Sequence, residues 1–352
     1  MKYAKYMMIV AALCCAAALP GCRKKPAGDA ARSIAVFVPG TVQGSAIYEM
    51  MADGVRAAVA DWNGRGGSAA SPALVTVVEG GFNQAEWEGK VLSLAAGGRY
   101  GLIVSSNPSM PAIAAAVSRA FPEQRFLLLD GELAGNPRVY SLRYNQREQG
   151  FLAGHIAGLA ALDLIAKEPG RWKYRVGLAA AQEYPAMNGV ILPGFLEGAR
   201  AVDPRFEADF RIVGNWYDAA RAAELAEAII SDGAPVLLTV AGSANQGVLQ
   251  AAAERGAKVV WFDTAGCEER PGVVVGSAIL LQERAAREKT LLYLEGALPF
   301  GAAETAGIAE GFVDFADTEP LYLSTVSEAI RRQQDALLQR LRSGELRLPL
   351  GE

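Results

Sequence analysis

Residues 34–62 read IAVFVPGTVQGSAIYEMMADGVRAAVADW. The opening IAVFV is a continuous apolar run closed by Pro39-Gly40, which is how a buried strand ending in a turn is written. From Ile47 onward, Met50, Met51, Gly54, Val55, Ala58, Val59 and Trp62 recur in steps of three and four, one apolar stripe along a helix. A strand followed directly by such a helix is half of a parallel βαβ unit. The same pairing returns down the chain: LVTVV at 74–78, GLIV at 101–104, RFLLLD at 125–130, RVGLAA at 175–180, PVLLTV at 235–240 and KVVWF at 258–262. Strands alternating with helices predict parallel sheets covered on both faces. The 352 residues exceed what one hydrophobic core usually serves, and a second block of strand-helix units follows a long helix over about 146–164. The expected fold class is therefore α/β, with two doubly wound parallel-sheet lobes. No period of 20 to 50 residues repeats, which argues against a solenoid.

Composition narrows the function. Apolar residues make up 51% and charged residues 20%, ordinary for a globular chain, and the formal net charge is −4. An acidic chain is a poor nucleic-acid binder, so no nucleic-acid partner is expected. With one histidine and four cysteines, a zinc site or a histidine-based nucleophilic triad has too few residues to draw on. His155 sits among small residues in FLAGHIAGLAA (151–161), where packing is the expected role. Beyond residue 22 only Cys267 remains, so no intramolecular disulfide framework is expected there. Gly40, Gly44 and Ser45 follow a strand and open a helix, but no Lys-Ser/Thr follows as a phosphate-binding loop requires. No Gly-x-Ser-x-Gly elbow occurs at 40–45 or 241–247. Catalytic residues, metal ligands and cofactors are not expected, and neither is an enzyme.

The amino-terminal residues carry an address. Lys2 and Lys5 precede an apolar run over 7–19, short for a membrane span but suited to an export signal. The run ends in Leu19-Pro20-Gly21-Cys22, which resembles the lipobox of bacterial lipoproteins. That resemblance implies removal of residues 1–21, lipidation of Cys22, and a chain held at the cell membrane facing the periplasm or the exterior. Acyl chains on one residue anchor by about 0.8 kcal/mol per buried CH₂. Residues 23–32 (RKKPAGDAAR) are polar and aperiodic, the composition of a tether.

Open parallel sheets bind ligands beyond the carboxyl ends of their strands, so those ends are where a site is sought. They read PGTVQGSAIY at 39–48, SSNPSMP at 105–111, Asp130, AQEY at 181–184, GNWYD at 214–218, AGSANQG at 241–247, Asp263 and Ser277. Hydroxyls, amides, carboxylates and aromatic rings dominate, with almost no Lys or Arg. A neutral polyhydroxylated ligand with a flat ring suits that set better than a phosphate. Within it Tyr48, Ser106 and Asn107 are candidate contacts. Asn107 precedes Pro108 and also has the makings of a turn former; Asn83 reads as a helix cap.

YNQREQGFLAG (144–154), LPGFLEGARAVDP (192–204), NWYDAARAAELA (215–226), AGSANQGVLQAA (241–252) and LRSGELRLP (341–349) together resemble the basic membrane protein family of bacterial substrate-binding lipoproteins, whose best-understood branch comprises purine nucleoside receptors. The resemblance runs in order through 33–349. It implies a type I periplasmic-binding-protein fold: one lobe from 33–143 with about 266–300, the other from 144–265 with about 301–352, closing on a ligand and delivering it to an ABC permease and ATPase. It further implies that Asp263 accepts bonds from ribose hydroxyls, that Trp216 forms a plate for a base, and that Gly242 and Ser243 lie in a ligand-facing loop. Glu148 matches a family glutamate and is either a structural pair at the lobe junction or a ligand contact. Against the nucleoside branch, Gly44, Ala46, Ile47 and Tyr48 stand where its stacking segment lies, and Leu280 stands where it has a lysine. The ligand is expected to be a nucleoside, or else a sugar or other polyol. A ligand-sensing lipoprotein without transport and a nucleoside-processing enzyme are the competing functions; the single histidine weighs against the enzyme.

Overall fold

The computed structural model describes residues 32–66 and 72–350, so the leader, Cys22 and nearly all of the tether lie outside the described residues. Twelve strands run in chain order: β1 Ser33–Val38, β2 Leu74–Glu79, β3 Leu102–Ser106, β4 Arg125–Leu129, β5 Val139–Tyr144, β6 Arg175–Ala180, β7 Glu207–Ile212, β8 Val236–Val240, β9 Lys258–Asp263, β10 Val274–Leu280, β11 Ala303–Ala306 and β12 Val313–Phe315. They form two six-stranded sheets, β11-β5-β4-β3-β1-β2 and β12-β10-β9-β8-β6-β7. Pairing is parallel throughout, except that β12 runs antiparallel to β10. The expected two-lobed α/β architecture is the observed one, and the two sheets follow the same winding.

The helices that matter here are α1 Ala46–Gly64, α2 Trp87–Ala96, α3 Met110–Ala120, α4 Gln146–Lys167, α5 Leu192–Val202, α6 Ala219–Ser231, α7 Asn245–Arg255 and α8 Gln282–Leu294, followed by α9 Pro320–Thr325 and α10 Glu328–Arg342. The stripe read from the sequence of α1 is its buried face, with Met51, Ala52, Gly54, Val55, Ala58 and Val59 inside. That face lies on α8 so closely that a Cβ at Gly54 would come within 2.2 Å of the Glu283 carbonyl oxygen. α4 and α5 approach in the same manner. A Cβ at Gly154 would sit 1.9 Å from the Phe195 carbonyl oxygen, and one at Gly198 would sit 2.1 Å from that of Phe151. The small-residue run of α4 is therefore a surface for backbone-to-backbone packing. His155 on α4 is half-buried, and its Nδ1 lies 2.7 Å from Gln334 Oε1 on α10, a packing position as expected.

The strand membership corrects the expected lobe boundaries. β10 lies within 266–300, expected in the first lobe, yet it pairs with β9 and β12 in the second sheet. β11, expected in the second lobe, pairs with β5 in the first. The chain passes between lobes at Asn145, at Leu281, and across 307–312. The alternation announces the seven runs quoted above, not β5, β11 or β12, and it does not announce which sheet a strand joins, because that choice is made by the partners it meets in the fold. The three passages are bonded to one another: Asn145 N–H donates to Ala306 O at 2.8 Å, and Leu281 N–H to Phe312 O at 2.9 Å.

Candidate functional site

The carboxyl ends of both sheets carry the residues singled out by their position. Among the described residues, the two non-glycine residues with positive φ are Asp130 (56°) and Asp263 (72°). Asp130 directly follows β4, and Asp263 ends β9. Each is the fourth strand counted from the edge formed by β2 or β7, so the two carboxylates occupy equivalent places in the two lobes. The left-handed conformation costs an L-residue about 1 kcal/mol or more, aspartate least among charged side chains, and such residues concentrate at functional sites.

Asp263 Oδ1 accepts a hydrogen bond from Gln149 Nε2 at 3.0 Å, and the same nitrogen donates to the Ala278 carbonyl at 3.1 Å. Burial pushes the Asp263 carboxyl up to about 6, with the Gln149 bond pulling it back. Asp130 is pushed up to about 7, first by burial and then by the charge of Asp263. No donor among the described residues meets the Asp130 carboxylate. Three tyrosines sense its charge. Tyr48, in the first turn of α1, accepts a bond from Asn107 Nδ2 at 3.3 Å; burial raises its pKa, the Asn107 bond lowers it, and the Asp130 charge raises it again. Tyr144 ends β5, is fully buried, and has a hydroxyl with no hydrogen-bond partner; burial and then Asp130 hold its pKa well above the usual phenol range. Tyr184, in the loop after β6, is raised by burial, then by Asp263, then by Asp130, so it lies within reach of carboxylates from both lobes.

The sequence-predicted residues fall into two groups. Tyr48, Asn107 and Asp263 belong with the carboxylate cluster. Asn107 is also the turn former suggested by Pro108, since its Oδ1 accepts from Ser109 N–H at 2.9 Å. Ser106, at the end of β3, is buried, and its Oγ accepts from Gln282 Nε2 at 3.0 Å, a bond that ties β3 to α8. Trp216, Gly242 and Ser243 form the second group, at the carboxyl ends of β7 and β8. Ser243 Oγ donates to the Trp216 carbonyl at 3.1 Å, and Gly242 (φ 59°) lies so near that an added Cβ would meet that carbonyl at 3.0 Å and the Trp216 ring at 3.4 Å. The Trp216 side chain is 43% exposed.

Residues outside the sequence prediction also belong to the cluster. Asp130 and Tyr184 stand in strand-end segments already read, and only the opposing lobe distinguishes them from ordinary turn residues. Tyr144 and Gln149 carry no local signal; Gln149 is a fully buried helix residue beside Asp263. Glu148 resolves toward the junction. Its buried carboxylate accepts the Ile308 N–H at 2.8 Å, and a Cβ at Gly307 would meet its Oε2 at 2.1 Å. Burial raises its pKa, while the backbone N–H groups of Ile308 and Leu348 counter that. Asn83 is the cap the sequence suggested, accepting from Ala85 N–H.

Comparison with known proteins bears on this arrangement. The sequence profile of the Bmp family, described as ABC transporter substrate-binding protein PnrA-like, matches residues 31–346. Among curated proteins, the chain is similar to a CD4+ T-cell-stimulating antigen of Listeria monocytogenes, 22% identical over 161 residues. That match takes in 45% of this chain and 41% of the relative, so it spans less than half of the relative's length. Among solved structures, a solute-binding protein of an ABC transporter system from Aeropyrum pernix superposes with a TM-score of 0.77 at 21% identity, covering 91% of this chain and 94% of that one. A solute-binding protein from Agrobacterium vitis, bound with alpha-D-tagatopyranose, superposes with a TM-score of 0.59 at 15% identity, covering 85% of this chain and 98% of that one.

Proposed function

The chain belongs to the Bmp family of PnrA-like ABC transporter substrate-binding proteins, a family of binding proteins rather than enzymes, and we propose that it captures a nucleoside between its two lobes and hands it to an ABC permease and ATPase. The observation that carries this reading is the pair of strand-end aspartates, Asp130 and Asp263, offered by opposite lobes at equivalent positions. A carboxylate accepts from two adjacent hydroxyls, which suits a vicinal diol. Tyr48 and Trp216 supply flat faces for a base, and Gly242 and Ser243 hold the Trp216 loop in place. The passages at Asn145, Leu281 and 307–312 are the hinge about which the lobes close, and ligand bridging the strand ends favours the closed form.

A sugar or other polyol is the second reading. It draws support from the departures at Gly44, Ala46, Ile47 and Leu280, and from the tagatose-bound neighbour of the same fold. The leader and Cys22 complete the proposal: lipid on Cys22 anchors the receptor at the outer face of the cell membrane. Mass spectrometry of small molecules released from the purified protein, followed by a thermal-shift screen of nucleosides, bases and sugars, tests the reading. Ligand at ~100 times its Kd should add roughly 2.7 kcal/mol of stability. A screen in which no compound raises the melting temperature counts against it. Cys22→Ser should abolish acyl labelling; unchanged labelling sinks the anchor.

A further inference from the structure

The cleft is rich in hydrogen-bond acceptors and aromatic faces and poor in positive charge. Asp130 is raised by burial and then by the charge of Asp263, and among the described residues no Lys, Arg or His offsets either carboxylate. Two arginines flanking Tyr144 are engaged with other acids: Arg143 with Glu132 at 2.7 Å and Arg147 with Glu197 at 2.8 Å. Tyr48, Tyr144 and Tyr184 all sense Asp130. Two fully buried polar atoms beside the carboxylates have no partner, the Tyr144 hydroxyl and Gln149 Oε1, whose own amide nitrogen bonds Asp263. An orphaned buried acceptor next to uncompensated carboxylates calls for a group that brings several N–H donors.

On the reading of this cleft as a receptor site, we propose that its ligand carries a cationic nitrogen, a protonated amine or amidinium on a nucleoside- or sugar-like scaffold, seated between Asp130 and Asp263. A neutral polyol satisfies acceptors but leaves two carboxylates facing each other. A cation relieves their repulsion and makes charge-assisted bonds to both. Lobe closure then becomes coupled to charge: the two acids are brought together only when a positive group sits between them.

Calorimetric titration of the full chain with two matched pairs, glucosamine with glucose and 3′-amino-3′-deoxyadenosine with adenosine, tests this at about pH 7, where Asp263 is mostly ionised, Asp130 is poised to ionise against an incoming cation, and the amines are largely protonated. The amine of at least one pair should bind about tenfold tighter or more than its neutral counterpart. Neutral members binding as tightly as the amines overturn the charge inference and leave the receptor reading standing. Silence from all four compounds counts against both the charge inference and the nucleoside-or-sugar reading, so the two failures are told apart. A ligand-free measurement stands beside it. The groups facing Asp130 are Asp263, Tyr48, Tyr144 and Tyr184, none of them cationic, so Asp130→Asn should melt higher than the parent at about pH 8 and lose that advantage at about pH 4. A variant with native circular dichroism that melts lower at the higher pH shows that a hidden cation already compensates Asp130, and overturns the proposal.

Discussion

The two lobes end their fourth strands alike and then treat the carboxylate differently. In both, an aspartate is turned into the left-handed region at the carboxyl end of an interior strand. Asp263 is held by the buried amide of Gln149 and stays the stronger acid of the two, at about 6. Asp130 is pushed up to about 7, first by burial and then by the charge of Asp263. The second lobe therefore presents an oriented, mostly ionised acceptor, while the first presents a carboxyl whose charge depends on what enters the cleft. One backbone solution serves two electrostatic purposes, and the difference lies in Gln149, whose amide reaches Asp263, and in the Asp263 charge that raises Asp130.

The strongest way to break this contrast is Asp263→Ala. Stranding the donors that meet an ionised carboxylate costs about 1.5 to 3 kcal/mol per bond, so binding of the released ligand should weaken by at least about tenfold in calorimetry. An unchanged Kd would falsify the assignment of Asp263 to the site. The next effect is on stability. Both carboxyls are raised above their unfolded values near 3.9, so the folded state holds extra protons between about pH 4 and 7. Stability from this pair is present in acid, falls as pH rises through that window, and is level above it. Asp130→Asn should recover on the order of 1 to 3 kcal/mol near neutral pH in thermal or denaturant unfolding, and Asp263→Asn less, because its shift is smaller and its amide bond is disturbed. Equal gains for the two variants would erase the distinction between the lobes.

Gln149→Leu sharpens the comparison from the other side. Removing the amide leaves Asp263 and the Ala278 carbonyl without their donor, so the fold should lose about 1 to 2 kcal/mol and the Asp263 carboxyl should titrate higher, toward Asp130. Carbon-detected NMR titration of the carboxyl groups reads this directly. Trp216→Ala should weaken a ring-bearing ligand by about 0.5 to 1.5 kcal/mol beyond lost area. A ligand indifferent to that change lacks a flat ring at that wall, which favours the sugar reading.

Legibility followed the range of the forces involved. The strand runs, the stripe of α1 and the long helix α4 are written in local periodicity, and each was read within a few residues of its observed limits. The caps at Asn83 and the turn at Asn107 were readable too, because each is closed by a partner two residues away. β10 and β11 were placed in the wrong lobes since their register depends on β9 and β5, neither of which their own residues reveal. Among strand-end residues, Asp263 is singled out by its position and by the resemblance. Asp130 had the same position and was passed over, since a lone aspartate after a strand is usually a turn residue.

By itself, then, the sequence determined an acidic two-lobed α/β chain, a family of ligand carriers, and the class of residues that line strand ends. These are consequences of local pattern and composition, which survive without knowing what meets what. The tertiary structure alone decided that Asp130 senses the charge of Asp263, that the Tyr144 hydroxyl and Gln149 Oε1 are left with unmet hydrogen-bonding capacity, and that, among the described residues, no cation offsets either carboxylate. Asp263 lies more than a hundred residues from both Asp130 and Gln149, and in a low-dielectric cleft it is the pairing, far more than the residue, that sets charge, protonation and the ligand a site will accept.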